Sequence, residues 1–216
     1  MTAAEVGLER PHVFLPAEPS AAGPPLLLLH GTGGDEHDLL PLRDRLSPGA
    51  AVLSVRGTVL ENGMPRFFRR LREGVFDEDD LCRRADDLGR FVQTASAAYG
   101  IGERSLVAVG FSNGANIASA LLLRQPRMLG AAVLLSAMVP FAEPPEADLA
   151  GTLVIVSNGA RDPMIPASMT ATLVAQLRDR GAEVVEQPHG GGHQIDPAAL
   201  LQISQLLAPP LRPPMM

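Results

Sequence analysis

Gly110-Phe111-Ser112-Asn113-Gly114 follows an apolar run, residues 106–109, and opens a stretch that reads as a helix from Asn113 to about Gln125, ended before Pro126. Strand, sharp turn and helix form the context in which a G-x-S-x-G pattern carries chemistry. Glycines at both ends of the turn let strand and helix pack closely while Ser112 is held in strained backbone geometry. Its Oγ then projects from the sheet, beside a helix N-terminus that favours negative charge. The plain alternative is a small residue in a tight turn.

Outward from this turn, short apolar runs alternate with longer mixed-polarity stretches. Residues 26–29 (ending at His30), 51–55, 106–109, 131–135, 153–157 and 183–186 read as strands. Helices are expected from about Leu39 to Leu46 (capped by Asp35 or Asp38), from residues 77–80 to Tyr99 with Gly100 as its stop, from Ala167 to about Arg180, and over Pro197–Leu207, stopped at Pro209-Pro210. Residues 58–76 read as a long irregular excursion. Buried strands alternating with helices predict an α/β fold, a mostly parallel sheet covered on both faces, in a single domain over residues 1–216. In such sheets the chemistry sits beyond the carboxyl ends of the strands.

Composition excludes several classes. Hydrophobic residues make up 46% of the 216, enough for one large core. All 18 basic residues are arginine, so Schiff-base lysines, P-loop lysines and Ser-Lys dyads are absent. The single cysteine, Cys82, rules out an intramolecular disulfide and a thiolate zinc cage. A net charge of −6 argues against nucleic acid as the main partner. The first residues show no basic stretch leading into an apolar run, so no signal peptide is read there. The longest apolar runs are far too short for a membrane span. A cytoplasmic protein without membrane association is the expectation.

A serine nucleophile needs a base, and the base needs an orienting carboxylate. Asp162, in Asn158-Gly159-Ala160-Arg161-Asp162-Pro163, directly follows a strand. Its rival, Asp196, is explained as the N-cap before Pro197. His193 ends Gly190-Gly191-Gly192-His193, a loop that carries an imidazole to the serine, while His189 reads as a structural histidine. The remaining need is an oxyanion hole. His30-Gly31-Thr32-Gly33-Gly34 follows the first strong strand, so the backbone N–H groups of Thr32 and Asn113 are the candidate donors, with His30 shaping the loop. Capping and a solvated acidic turn explain Asp35, His37 and Asp38 better than a metal cluster. Cys82 carries no motif and reads as a packed thiol, which leaves a dienelactone-hydrolase mechanism without its elbow cysteine.

These positions carry a resemblance. Leu28-Leu29-His30 with residues 31–36, Phe111-Ser112-Asn113-Gly114-Ala115-Asn116, Arg161-Asp162-Pro163-Met164-Ile165-Pro166 and Gly191-Gly192-His193-Gln194 resemble motifs of the α/β-hydrolase fold, and within it of the small bacterial phospholipase/carboxylesterase family. The likeness runs from about His30 to Leu207. Val55-Arg56-Gly57, Gly63-Met64-Pro65-Arg66-Phe67-Phe68-Arg69-Arg70 and Glu73-Gly74-Val75-Phe76-Asp77 resemble a subgroup linked to hydroquinone or aromatic-compound metabolism. Ser136 stands where that subgroup would carry an arginine. The resemblance implies a carboxylesterase acting on small acyl esters, without cofactor or metal and without a large lid domain; a homodimer rests on the resemblance alone. A thioesterase or lysophospholipase with the same triad and a non-catalytic ligand receptor on the same fold are the alternatives.

Substrate-binding residues are less sharply marked. Phe67 and Phe68 read equally well as walls of an acyl or alcohol pocket, with an arginine of residues 66–72 meeting an acidic group, and as core phenylalanines beside solvated arginines. Met138 and Met164 are further candidates for the pocket lining, with core packing as the plainer role.

Overall fold

The computed structural model describes residues 7–102 and 106–208. The readings of the first six residues and of Pro209-Pro210 as a helix stop lie outside the described residues.

In chain order the elements are β1 (His12–Leu15), β2 (Leu26–Leu29), α1 (Leu42–Leu46), β3 (Val52–Val55), β4 (Val59–Glu61), β5 (Met64–Arg66), β6 (Arg70–Arg72), β7 (Val75–Phe76), α2 (Glu78–Tyr99), β8 (Val107–Phe111), α3 (Asn113–Arg124), β9 (Ala131–Leu135), β10 (Leu153–Ser157), α4 (Ala167–Arg178), β11 (Glu183–Glu186) and α5 (Pro197–Leu207). Seven strands form one sheet in the order β1-β3-β2-β8-β9-β10-β11. Only β1 runs antiparallel to its neighbour; the pairs from β3 to β11 are parallel.

Period-two alternation explains why these strands are apolar throughout. Leu27, Leu29, Ala108, Ala132, Leu134, Val154 and Val156 enter a core shared with α2, α3 and α4. Leu26, Leu28, Val107, Val109, Val133 and Ile155 face the other way, against α1 and α5. Helix α2 buries Leu81, Ala85, Leu88, Val92 and Ala95 along one stripe. Asp77 caps its start by accepting from the Asp80 N–H at 3.0 Å, and Gly100 ends it in the left-handed region at φ 69°.

Some boundaries differ from the sequence reading. Residues 35–41 form successive turns, and α1 begins only at Leu42, because Pro41 disfavours helical backbone at Leu40. The excursion over residues 58–76 folds into two small antiparallel pairs, β4–β5 and β6–β7. Strand β1, absent from the sequence reading, is a short edge strand paired with β3, and its Phe14 ring stacks on Tyr99 of α2.

Candidate active site

The turn at Ser112 is built by close backbone approach. A Cβ at Gly110 would stand 2.6 Å from the Ala115 nitrogen, and one at Gly114 would stand 2.6 Å from the His30 carbonyl oxygen. Both are closer than real side chains allow, so only glycine lets α3 start this near β2 and β8. Ser112 adopts φ 52° and ψ −113°, a conformation that non-glycine residues rarely hold. Its N–H donates to the Leu135 carbonyl at 2.8 Å and its carbonyl accepts from the Asn116 N–H at 3.0 Å, so neighbours on both sides enforce the strain.

Two further loops meet this serine. His193 Nε2 lies 2.8 Å from Ser112 Oγ, and His193 Nδ1 lies 2.7 Å from Asp162 Oδ2. With Asp162 as acceptor, Nδ1 carries the proton and Nε2 is left free to accept from the serine hydroxyl. The other Asp162 oxygen accepts from the Met164 N–H at 2.9 Å. The carboxylate is fully buried while the imidazole keeps 21% exposure, which gives solvent and small molecules access to the base. The acid and histidine loops are also joined to each other. The Ala160 N–H donates to the His189 carbonyl at 2.8 Å, the Arg161 N–H to Gly191 at 2.9 Å, and Arg161 Nε to Gly190 at 2.6 Å.

The Thr32 and Asn113 backbone N–H groups donate to no protein acceptor among the described residues. The Asn113 N–H is a helix first-turn donor, and that of Thr32 lies in the turn after β2; both are free for an anion. His30 is buried and shapes the Thr32 loop: its Nδ1 donates to the Gly31 carbonyl at 2.6 Å, and its Nε2 accepts from the Gly57 N–H at 2.9 Å. Burial lowers its pKa, with the Gly31 carbonyl and nearby carboxylates opposing.

Other positions resolve as follows. Asp196 caps α5 by accepting from the Ala198 and Ala199 N–H groups, both at 2.9 Å. His189 Nδ1 accepts from the Gly191 N–H at 3.2 Å, and its buried Nε2 has no hydrogen-bond partner among the described residues. Phe67 and Phe68 do not wall an open pocket. Both are completely buried in the core, Phe67 against the His30 ring and Phe68 edge-on to Phe76. A substrate has no exposed surface of either ring to touch. Met138 is buried as well, its N–H held by Asn116 Oδ1 at 2.8 Å, whereas Met164 is half-buried next to Asp162. Among the described residues no group of three or more His, Cys, Asp or Glu side chains is placed to hold a metal ion.

Sequence reasoning missed two features. Ser136, after β9, shares the φ of 52° found at Ser112, and no glycine or asparagine marks the position. Arg66, one of the arginines read either as meeting an acidic substrate group or as solvated, is 3% exposed. Its Nη1 donates to Thr32 Oγ1 at 2.7 Å, and its Nε lies 3.1 Å from Glu61.

Residues 56–209 match the family described as phospholipase/carboxylesterase. Over 170 residues the chain is 47% identical to a Bacillus subtilis (strain 168) protein described as a hydrolase, MhqD, covering 79% of this chain and 85% of that one. The crystal structure of the Bacillus cereus carboxylesterase superposes with a TM-score of 0.89 at 42% identity, over 94% of this chain and 95% of that chain. A carboxylesterase from Mesorhizobium loti gives 0.82 at 32% identity, over 87% and 89%. The mostly parallel sheet flanked by helices is the α/β-hydrolase fold of these relatives.

Proposed function

Because this chain belongs to the phospholipase/carboxylesterase family, a family of ester-cleaving enzymes, we propose that it is a serine carboxylesterase of small carboxylic esters, working as one catalytic domain. The observation that carries the reading is the continuous chain Ser112 Oγ to His193 Nε2 at 2.8 Å and His193 Nδ1 to Asp162 at 2.7 Å.

In this reading His193 Nε2 removes the Ser112 proton as Oγ bonds to the ester carbonyl carbon. The carbonyl oxygen becomes an oxyanion facing the Thr32 and Asn113 N–H groups, and one such donor is worth roughly 3 kcal/mol. The carbon–oxygen bond to the alcohol then breaks, and the leaving alkoxide takes the proton from His193. Water repeats the sequence on the acyl-enzyme: His193 accepts its proton, hydroxide adds to the acyl carbon, and Ser112 Oγ leaves with the proton returned. Asp162 keeps the imidazole in the Nδ1–H tautomer and stabilises its cation. Partial exposure of His193 supports small soluble esters as substrates. No helix among the described residues is long and apolar enough to cross a membrane.

Turnover of p-nitrophenyl acetate and labelling by a fluorophosphonate test the reading. Ser112→Ala is expected to lose both. Full turnover by that variant would overturn the proposal.

A further inference from the structure

The two candidate oxyanion donors stand on different loops, Thr32 after β2 and Asn113 at the start of α3. Their backbone N–H groups act together only if the loops keep a fixed separation. Pairing of β2 with β8 and the close approach of Gly114 to the His30 carbonyl bring the two loops together. Two consecutive residues, Arg66 at the end of β5 and Phe67 just after it, then tie the two donor residues to one support. Arg66 Nη1 donates to Thr32 Oγ1 at 2.7 Å, and the Phe67 N–H donates to Asn113 Oδ1 at 2.7 Å. One residue earlier, the Pro65 carbonyl accepts from the Gly33 N–H at 2.9 Å. The β4–β5 hairpin therefore grips each donor residue by its side chain.

Arg66 is itself over-determined. Its Nε donates to the Phe68 carbonyl at 3.2 Å and lies 3.1 Å from Glu61 Oε2, and its guanidinium sits 5.8 Å over the Phe68 ring. Glu61 in turn receives Arg70 Nε at 2.8 Å. Burying an arginine is costly unless its donors are met, and a planar fork meets several at fixed angles. Here one arm of that fork leaves the ion pair and ends on the hydroxyl of Thr32, the candidate donor residue after β2.

We propose that Arg66 is a positioning residue, which holds Thr32 so that its N–H and that of Asn113 converge on one oxygen. The inference rests on the esterase reading above. A misplacement of about 1 Å at such a site costs on the order of 100-fold in rate, because the donors act mainly on the transition state.

The test uses Arg66→Met, which removes the fork but keeps an apolar stem, and Thr32→Val, which removes only the acceptor from an exposed residue. Each is assayed with p-nitrophenyl acetate and with phenylboronic acid, a tetrahedral analogue that bonds to the serine. Expected for both variants is a fall in kcat of roughly 10- to 100-fold with KM moved less than about twofold, and a matching fall in boronic-acid affinity. The double variant should lose no more than about threefold beyond the worse single one, because both changes break the same bond. If Arg66→Met does not fold, Thr32→Val carries the test alone. Thr32→Val with unchanged kcat, unchanged boronic-acid affinity in either variant, or losses that multiply in the double variant would overturn the proposal. Activity retained by Ser112→Ala would instead sink the esterase reading; an inert Ser112→Ala beside fully active Arg66 and Thr32 variants would sink this inference only.

Discussion

Gly114→Ala places one methyl group where α3 meets β2. The new Cβ would stand 2.6 Å from the His30 carbonyl oxygen, and the Leu29 carbonyl is closer still. An ordinary carbon–oxygen contact is about 3.3 Å, so relief of the His30 contact alone needs about 0.7 Å. The obstacles are backbone atoms of a central, fully buried strand, so no side chain can rotate out of the way. Helix α3 must move, carrying Ser112 and Asn113 with it. Overpacking of this kind costs about 1–3 kcal/mol, and the rigid surroundings put it at the upper end. At about 2–4 °C per kcal/mol for a chain of this length, Tm should fall by about 6–12 °C. A shift approaching 1 Å at the nucleophile should lower kcat/KM by about 100-fold, or about 2.7 kcal/mol of transition-state stabilisation. Gly100→Ala is the control. It forces a side chain onto φ 69° with nothing within 4 Å, so it should cost about 1–2 kcal/mol of stability and leave turnover alone. Calorimetry and p-nitrophenyl acetate kinetics on both variants decide the matter. A Gly114→Ala protein with Tm within about 2 °C and kcat/KM within about threefold of the parent would refute the close-approach reasoning.

Asp162→Asn should keep the fold, since the second carboxylate oxygen of Asp162 only accepts the Met164 N–H, but should turn a hydrogen-bond donor toward His193 Nδ1. The imidazole would then carry its proton on Nε2, and kcat should drop about 10⁴-fold with KM little changed; a loss under about tenfold would count against the assigned tautomer. Burial holds the folded pKa of His30 below the unfolded value of 6.5, so its contribution to stability is full above that value and is lost as pH falls through it toward the folded pKa. The unfolded chain binds the extra proton in that window, giving a slope of at most about 1.4 kcal/mol per pH unit. Urea unfolding at pH 7 and pH 5.5 should show the decline in the parent and a shallower one in His30→Gln; equal slopes would remove His30 as its source.

How much of this was legible depended on whether the signal was local. Gly110 and Gly114 bracket Ser112 within five residues, the acid motif directly follows an apolar run, and the histidine motif lies in the loop after the next strand. Strand-end chemistry could therefore be placed without knowing the sheet order. The Asp196 cap and the Gly100 stop were equally local. Arg66 was not. A charged residue in an arginine-rich stretch reads as solvated, and its burial becomes evident only once Glu61, Thr32 and Phe68 are brought around it. For Phe67 and Phe68 a pocket wall and a core role read equally well, because only the assembled fold brings His30 against the one ring and Phe76 against the other. The positive φ of Ser136 has no sequence mark, because the sheet imposes it through the Ser136 N–H bond to the Ser157 carbonyl at 2.9 Å.

The bonds between the loops at residues 159–162 and 189–193 bear on how this enzyme tolerates rearrangement of its chain. Asp162 and His193 are far apart in sequence but behave as one piece, and Ser112 belongs to another piece. The connection between them, residues 142–151, is mostly exposed and follows the last strand of the nucleophile's half. Arg180 fastens its Pro144 and Pro145 carbonyls to the end of α4, at 2.7 Å each. A nick or a permuted terminus at residues 142–143 would therefore leave an acid–base half already assembled. Reconstitution would then require β10 to pair again with β9, Asn158 to bond Ala137 again and α5 to pack again on α1. A cut within residues 163–188 would instead divide the acid from the base and leave neither fragment with a working half.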